Sequence, residues 1–215
     1  MKRRTLLGAV GAGVAAAGGM GILGRDLVGT AQAQEAAARE IPEMTLGSDD
    51  APVEFIEYAS FTCPHCATFH TQIMPLLKAD YIDQGSVRFV YREVYFDRFG
   101  LWASMVARCA GPVRFFGVTD LLYESQRDWT QGDPATVAEN LRRVGRTVGL
   151  GEDELESCLT DGQFAQDLVA RYESHMEEHE IPGTPAFVIN GQLHGNMSYA
   201  EMQSLLDGLI AAAEG

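Results

Sequence analysis

The sequence predicts an α/β protein in which a block of helices interrupts a small mixed sheet. The predicted elements follow the order strand–helix–strand, then helices only, then strand–strand–helix. A helix between the first two strands is a crossover connection, which favours parallel pairing. Asn190-Gly191, between the last two strands, is the strongest short-range signal for a hairpin. The sheet is therefore split along the chain, with helices inserted in its middle.

Residues 1–33 are predicted to be a cleaved signal peptide. Met1-Lys2-Arg3-Arg4 is a positively charged start, and a weakly apolar run rich in Gly and Ala follows it. Ala31-Gln32-Ala33 supplies the small residues that a signal peptidase needs before the cleavage site. Arg3-Arg4-Thr5-Leu6-Leu7 resembles the twin-arginine export motif. A membrane anchor is the alternative, but so many glycines, followed by Arg25-Asp26, make a poor spanning helix.

Export and charge limit the partners of the mature chain. The bacterial periplasm is oxidising, so cysteines there can pair. The formal net charge is −14, and it becomes more negative once the basic N-terminal segment is removed. Such acidity disfavours nucleic acid and anionic lipid surfaces. We therefore expect a periplasmic monomer that has no nucleic-acid partner and no stable membrane association after cleavage.

Three strands and one helix are predicted in the first part of the mature chain. A short strand is expected near Glu43–Leu46, a longer one from Val53 to Ala59, and another from Val87 to Val94. Apolar residues recur at helical spacing from Pro64 to about Ile82. Pro75 lies inside that helix and is predicted to kink it.

The rest of the chain is first helical and then returns to the sheet. From about Arg98 the pattern predicts helices only, and the last of these is a long amphipathic stretch from Gln163 to Glu180. A strand at Ala186–Ile189, its hairpin partner and a helix from Ser198 to Ala213 close the chain. We therefore divide the mature chain into a helical insertion, 98–171, and a sheet domain formed by 34–97 and 172–215.

Redox chemistry is expected at Cys63-Pro64-His65-Cys66, where a strand ends and a helix begins. Cys63 is expected at the helix cap, among backbone N–H groups that lack helical partners, with Pro64 at the first helical position. Cys66 is expected one turn further on and less exposed. The helix N-terminus stabilises a Cys63 thiolate, and His65 adds a second donor. A stabilised thiolate favours the dithiol, which makes the disulfide form an oxidant.

Other uses of a Cys-x-x-Cys pair fit this sequence less well. Haem attachment needs His directly after the second cysteine, where this chain has Ala67. A zinc site needs two more ligands, and Cys109 and Cys158 are not a second close-spaced pair. No metal or cofactor is therefore expected.

The remaining histidines and large aromatic residues are assigned to structure. His175 and His179 are four residues apart on a helix, as metal ligands can be, but their acidic neighbours indicate a solvated face. His70 and His194 stand alone and are expected to be structural. The remaining aromatic residues singled out, which are expected mainly in the core, are Trp102, Trp129, Phe115 and Phe116.

Two further positions are predicted to lie near the cysteine pair. Glu57 shares its side of a strand with Val53 and Phe55, an otherwise apolar face. We expect it beneath the disulfide, where it would exchange protons with Cys66. The alternative is that strand twist turns it outward to water. Thr184-Pro185 directly precedes the strand that leads into the hairpin.

Taken together, these motifs resemble the DsbA family of periplasmic thiol oxidases. The features that carry the resemblance are the Cys-Pro-His-Cys motif, the spacing of Glu57 from it, Thr184-Pro185 before a strand, and the helical insertion. The resemblance implies a thioredoxin-like α/β fold with an inserted helical domain. It also implies that Cys63 attacks, that Cys66 resolves, and that Pro185 is cis and packs against the disulfide. Thr184 would then offer backbone hydrogen bonds to an extended client peptide.

Cys109 and Cys158 depart from the best-known members of that family. Both lie in the helical block of an exported protein, and no third cysteine there competes for pairing. We therefore expect a structural disulfide between them. Two separate buried thiols and a second redox centre are the alternatives.

The expected function is oxidation of unfolded or reduced secreted proteins, with a membrane-bound partner that reoxidises Cys63 and Cys66. The alternatives are a disulfide isomerase or reductase on the same fold, and a non-enzymatic chaperone or metal-binding module. Isomerase relatives carry an oligomerisation stalk before the fold. Only about ten residues separate Gln34 from the first predicted strand, which is too few for a stalk.

Overall fold

A five-stranded mixed sheet lies at the centre of the computed structural model, which describes residues 40–214. The predicted signal peptide lies outside the described residues. The strand order is β1-β3-β2-β4-β5. The strands are β1 (Met44–Leu46), β2 (Val53–Ala59), β3 (Val87–Glu93), β4 (Ala186–Ile189) and β5 (Gln192–His194).

The pairing of the strands follows the predicted topology. β2 and β3 are parallel, as their crossover connection requires, whereas β4 is antiparallel to β2 and β5 is antiparallel to β4. β1 adds an antiparallel edge beside β3. Asn190 and Gly191 both have positive φ angles, 44° and 78°, as a two-residue type I′ hairpin turn requires.

Helices make up most of the remaining described chain. Between β2 and β3 they are α1 (Pro64–Thr68) and α2 (Met74–Leu77), and between β3 and β4 they are α3 (Arg98–Cys109), α4 (Pro112–Glu124), α5 (Gln126–Trp129), α6 (Pro134–Thr147), α7 (Glu152–Leu159) and α8 (Gly162–His179). The last helix is α9 (Tyr199–Glu214). The boundary expected between residues 171 and 172 falls inside α8, and the division into two domains stays a prediction. Among the described helices, none is both long enough and apolar enough to cross a bilayer.

The predicted helix from Pro64 to Ile82 is interrupted by two π-helical turns, Phe69–Ile73 and Lys78–Ile82. The backbone N–H of Met74 bonds to the carbonyl of Phe69, five residues earlier. The hydrogen-bond register therefore changes one residue before Pro75. Proline has no N–H, and its ring crowds the carbonyl four residues back, so a wider turn at this point accommodates it.

The sheet has an apolar layer on each face. On one face, aromatic side chains of the three central strands, Phe55, Phe89 and Phe187, form the core with the helices that follow β2 and with α3, α4 and α9. On the other face, Ile56 and Val188 belong to a smaller cluster that packs against α8. Burying each large apolar side chain contributes about 1.5–3 kcal/mol, so both helical layers are fixed to the sheet.

A buried ion pair joins the helical insertion to the end of β3. Arg108 donates from Nε and Nη2 to the two carboxylate oxygens of Glu93, at 2.5 and 2.7 Å, and both residues are buried. Its Nη1 also donates to the carbonyl of Pro42, at 2.9 Å. Because a buried charge is costly when it is left alone, this bidentate geometry fixes the C-terminal turn of α3 against the sheet.

Cys109 and Cys158 form a disulfide, as the sequence predicts. Cys109 is the last residue of α3, and Cys158 lies in the last turn of α7. Their Cα atoms are 6.3 Å apart, within the usual range for a disulfide, and the bond closes a loop between positions 49 residues apart. The alternative of two separate thiols is wrong.

Replacing both Cys109 and Cys158 by Ala is expected to lower the free energy of unfolding by about 4 kcal/mol, because the unfolded chain regains the entropy of the open loop. Denaturant titration under oxidising conditions measures this loss. Under strong reductant, which opens the same bond in the wild type, the two proteins should unfold at the same denaturant concentration. A variant as stable as the wild type under oxidising conditions would contradict this prediction.

Candidate active site

Cys63 is the N-cap residue of α1, the position that the sequence predicts for it. Its backbone is extended (φ −83°, ψ 118°), and Pro64 starts the helix. The N–H of Cys63 bonds to the carbonyl of Ser60 at 3.0 Å, and its own carbonyl accepts the N–H of Ala67 at 3.1 Å. Proline fits the first helical position because its missing N–H would have no helical partner there. The turn after β2 therefore places the Cys63 sulfur at the positive end of the helix.

The two cysteines differ in their access to solvent. Both thiols are free; Cys63 is 7% exposed and Cys66 is fully buried. Pro64 and His65, between them, are exposed. Of the two cysteines, only Cys63 therefore retains contact with solvent. The expectation that His65 contributes through its ring stays a prediction.

The environment of Cys63 stabilises its thiolate and lowers its pKa to about 5. The largest cause is the hydrogen bond from the Cys66 thiol, while partial burial acts in the opposite direction. The Thr184 side chain and the backbone N–H groups of Cys66 and His65 add to the lowering. The helix N-terminus and its neighbouring donors thus keep Cys63 ionised at neutral pH.

The environment of Cys66 has the opposite effect and raises the pKa of that thiol far above its ordinary value. Burial is the largest cause, followed by the hydrogen bond to Cys63 and the negative charge of Glu57. Desolvation and a nearby carboxylate both disfavour a second anion. Cys66 is therefore a neutral thiol that donates to the ionised Cys63.

Glu57 is fully buried on the inner face of β2, and the alternative that turned it to water is wrong. Its Oε2 lies 2.8 Å from Nε2 of His70, which is also buried. The interpretation of His70 as a lone structural residue needs correction, because it forms the carboxylate's hydrogen bond. Glu57 lies in β2 and His70 in the helical segment that follows it, 13 positions later, so no local spacing pointed to this contact.

Two tyrosines lie beside the Glu57–His70 pair, and the sequence analysis did not single them out. Tyr91 and Tyr123 are bonded through their hydroxyl groups at 2.7 Å, and His70 stacks on the Tyr123 ring at a centroid distance of 4.2 Å. Burial is the main cause that raises the pKa of both hydroxyl groups, so they stay neutral. A closed polar cluster therefore lies beneath the cysteine pair.

The helical insertion holds the active-site turn from the side. The Gln126 side chain, buried at the start of α5, donates to the carbonyls of Phe61 and Cys63, at 2.8 and 3.0 Å. Asp97, the N-cap of α3, accepts a hydrogen bond from the Thr62 hydroxyl at 2.9 Å. No sequence pattern pointed to the role of Gln126, because 63 positions separate it from Cys63.

The segment before β4 lies against Cys63. The Thr184–Pro185 peptide bond is cis, and the Thr184 carbonyl oxygen is 3.5 Å from the Cys63 sulfur. Pro64 also lines a surface cavity of about 370 Å³, together with Thr62, Phe99 and Arg127. The two residues that flank Cys63 in the chain therefore border an open depression.

The remaining sequence-predicted residues do not belong to this site. Trp129 and Phe115 are buried in the core, as expected. The solvated face proposed for His175 and His179 is wrong: both are largely buried, and His179 Nδ1 lies 2.6 Å from the Tyr58 hydroxyl. Burial lowers the pKa of His175 to about 4, so it stays neutral. Within residues 40–214, no group of three or more His, Cys, Asp or Glu residues is arranged to hold a metal ion.

Comparison with known proteins agrees with this geometry. Residues 39–208 match the thioredoxin family. A Rickettsia bellii protein named as a protein-disulfide oxidoreductase is 32% identical over 169 residues, which cover 78% of this chain and 64% of that relative. Disulfide bond formation protein D of Bacillus subtilis is 27% identical and covers 75% of this chain and 74% of its own. The crystal structure of Wolbachia pipientis alpha-DsbA1 superposes with a TM-score of 0.74 at 25% identity, over 82% of this chain and 95% of that one.

The comparisons confirm the thioredoxin-like fold that the resemblance implied. The chain spans less than two thirds of the length of the Rickettsia relative, so that protein extends beyond the part that matches.

The Cys63 thiolate of the reduced protein is expected to titrate with a midpoint near pH 5, measured by its ultraviolet absorbance. Cys66→Ala removes the largest stabilising donor and should raise the midpoint, whereas Cys66→Ser retains a donor and should raise it less. Cys63→Ser should remove this titration altogether. A wild-type midpoint near the free-cysteine value of about 8.5 would contradict the assigned environment.

The reduced protein is expected to gain stability relative to the oxidised protein as pH rises from about 5, the Cys63 pKa in the folded chain, to about 8.5, the pKa of a free cysteine. In this window the unfolded chain binds one more proton than the folded chain. The difference in free energy of unfolding between the reduced and the oxidised protein therefore grows by at most about 1.4 kcal/mol per pH unit. It is lost as pH falls through 5. Denaturant titration of both redox forms at several pH values tests this, and a difference independent of pH would refute it.

Proposed function

This chain belongs to the thioredoxin family, among its DsbA-like proteins, and from that premise we propose that it is a thiol–disulfide oxidoreductase that donates the Cys63–Cys66 disulfide to secreted proteins. The observation that carries the proposal is the opposite effect of the site on two adjacent thiols. The pKa of Cys63 is lowered to about 5, whereas that of Cys66 is raised.

This asymmetry favours the dithiol form thermodynamically. A folded site that stabilises the Cys63 thiolate stabilises the reduced protein, and each pKa unit is worth about 1.4 kcal/mol, or about 30 mV for a two-electron couple. The disulfide is correspondingly ready to accept electrons. A low thiol pKa also makes Cys63 the better leaving group when a mixed disulfide is resolved.

The proposed reaction has two sulfur exchanges. A client thiolate attacks Cys63, the Cys63–Cys66 bond breaks, and Cys66 leaves as a thiolate that takes up a proton. A second client thiolate then attacks the client sulfur of the mixed disulfide and releases Cys63 as a thiolate. The client loses two electrons and forms its disulfide, and the protein gains both electrons and one proton, which leaves Cys63 as a thiolate and Cys66 as a thiol.

Glu57 is proposed to exchange that proton with Cys66. Its carboxyl group is buried on the same side of β2 as the cysteine pair, and its charge raises the pKa of the Cys66 thiol. A buried leaving thiolate without a proton donor would be strongly disfavoured. Glu57 therefore acts as general acid when the disulfide opens and as general base when it forms.

Client binding is proposed at the segment before β4. The Thr184 carbonyl lies beside the Cys63 sulfur, where an extended peptide can bond to the backbone of Thr184 and Pro185. The depression next to Pro64 offers space for the client chain beyond its cysteine. Export to the periplasm and reoxidation by a membrane-bound partner complete the proposal, and the acidic composition supports a freely diffusing donor.

The proposed oxidase activity predicts that the oxidised protein forms disulfides in a reduced, unfolded client protein without added oxidant, in equimolar amounts. Cys63→Ser should abolish this. A mixed disulfide pre-formed between Cys66→Ser and a client with a single cysteine should persist, because neither Cys66 nor a second client thiol is present to resolve it. Thiol counting and non-reducing gels measure both results. The redox potential of the protein, measured by equilibration with glutathione, should be more oxidising than that of the glutathione couple.

The isomerase or reductase alternative predicts different results. A reductase would reduce insulin rapidly at a potential below that of glutathione, and an isomerase would restore activity to a scrambled protein faster than it oxidises a reduced one. Either result would replace the oxidase proposal. Failure of wild type to exchange disulfides with any thiol would leave only the binding-module alternative.

A further inference from the structure

A second cavity lies behind the active site, on the side of His70. Its volume is about 250 Å³. Buried His70 is one of its lining residues, and the exposed residues Lys78, Asp120 and Glu124 are others. Its wall is mainly apolar but carries the polar side chains of Thr71, Lys78, Asp120 and Glu124, and its volume is enough for a few water molecules. His70 therefore lies between this cavity and the carboxyl group of Glu57.

The two ring nitrogens of His70 have different surroundings. Nε2 lies 2.8 Å from Oε2 of Glu57, whereas Nδ1 is buried without a hydrogen-bond partner among the described residues. The stack on Tyr123 and an edge contact with Tyr91, at 5.7 Å between centroids, hold the ring in place. An imidazole can accept a proton at one nitrogen and release it from the other.

The buried position of Cys66 creates a need for such a group. Cys66 and Glu57 are both fully buried, so neither exchanges protons directly with bulk water. In the proposed reaction Cys66 gains a proton in one half-cycle and loses it in the other. Glu57 can serve Cys66 once, but it must recover or release its own proton before the next turnover.

We propose that His70 is a positioning residue that passes protons between the cavity and Glu57, and that Glu57 thereby serves Cys66 in every turnover. Before the disulfide opens, His70 gives its Nε2 proton to the Glu57 carboxylate and takes one from cavity water at Nδ1. When the disulfide opens, the Glu57 carboxyl proton moves to the Cys66 thiolate, which leaves Glu57 as a carboxylate in the reduced protein. Reoxidation reverses each transfer, and no electrons move in these steps. This inference rests on the proposed function, which requires Cys66 to change its protonation state.

The charges around His70 support this direction of transfer. Asp120 and Glu124 of α4 line the cavity together with Lys78, so its lining has two acidic groups against one basic group. Partial desolvation of its carboxyl group is the main cause that raises the pKa of Asp120, and a positive charge on His70 would oppose that rise. The cavity is therefore a favourable place for a proton donor. On its other side, His70 meets the carboxyl group of Glu57 and the rings of Phe69, Tyr91 and Tyr123, whose hydroxyl groups are neutral where they have them.

The experiment measures the rate at which dithiothreitol reduces the Cys63–Cys66 disulfide of the full chain, followed by the appearance of thiolate absorbance. His70→Ala is expected to slow this reaction by at least about tenfold, because general acid–base assistance is lost. Imidazole added to the buffer should enter the enlarged cavity and restore much of the rate. Pyrazole has the same shape but is a much weaker base, and it should not.

Three further variants separate proton transfer from packing. His70→Gln keeps a donor toward Glu57 but cannot relay a proton, so it should also be slow. In Glu57→Gln/His70→Ala, imidazole should restore nothing, because the acceptor is missing. His194→Ala, a matched substitution in β5 far along the chain, should react at the wild-type rate with or without imidazole.

Wild-type rates in both His70→Ala and His70→Gln would overturn the inference, as would equal recovery with pyrazole and imidazole. Should His70→Ala fail to fold, the rate of His70→Gln decides on its own. The small dithiol keeps this test apart from the proposed function. A wild-type protein that reacts with dithiothreitol but oxidises no client would contradict the proposed function, while the His70 variants would still report on proton transfer.

Discussion

The hydrogen bond from the Cys66 thiol to the Cys63 sulfur is the interaction on which the rest of the site depends. It is the largest cause of the low pKa of Cys63 and a large cause of the high pKa of Cys66. One donor and one acceptor, a single helical turn apart, thus shift the pKa values of two chemically identical thiols in opposite directions, and burial of Cys66 widens the difference. The bond persists only because Cys63 stays at the helix N-terminus and Cys66 stays out of water, and the surrounding fold maintains both conditions.

The helical insertion maintains the first of these conditions. Gln126 bonds to the carbonyls of the turn that carries Cys63, and Asp97 joins the cap of α3 to the same turn. The Arg108–Glu93 pair and the adjacent Cys109–Cys158 disulfide fix the other end of α3 against β3 and α7. The insertion is therefore a clamp on the active-site turn, in addition to any surface that it offers to a client. Such rigidity matters because the pKa of Cys63 would rise if its sulfur moved away from the hydrogen-bond donors that surround it.

The second condition places polar groups inside an otherwise apolar core. Glu57, His70, Tyr91 and Tyr123 are all buried and connected by hydrogen bonds or ring contacts. Unpaired polar groups in such a place cost several kcal/mol, and a partly satisfied cluster is destabilising relative to apolar packing. Glu57 Oε1 and His70 Nδ1 nevertheless have no partner among the described residues. A site that must exchange protons needs unsatisfied groups of this kind, whereas a purely structural core does not.

The sequence by itself determined the elements and the nucleophile. β2 and β4 match their predicted ranges, the hairpin forms at Asn190-Gly191, and Cys63 caps the helix that Pro64 starts. These features depend on residues close together in the chain, through periodicity, turn chemistry and capping. Only the tertiary structure decided that His70 meets Glu57, that Gln126 holds the turn, and that His179 is bonded to Tyr58. Partners 13 to 121 positions apart leave no local pattern, because which polar groups meet is decided by how helices dock on the sheet. Local propensity fixes each element's backbone, but docking selects the polar partners through burial.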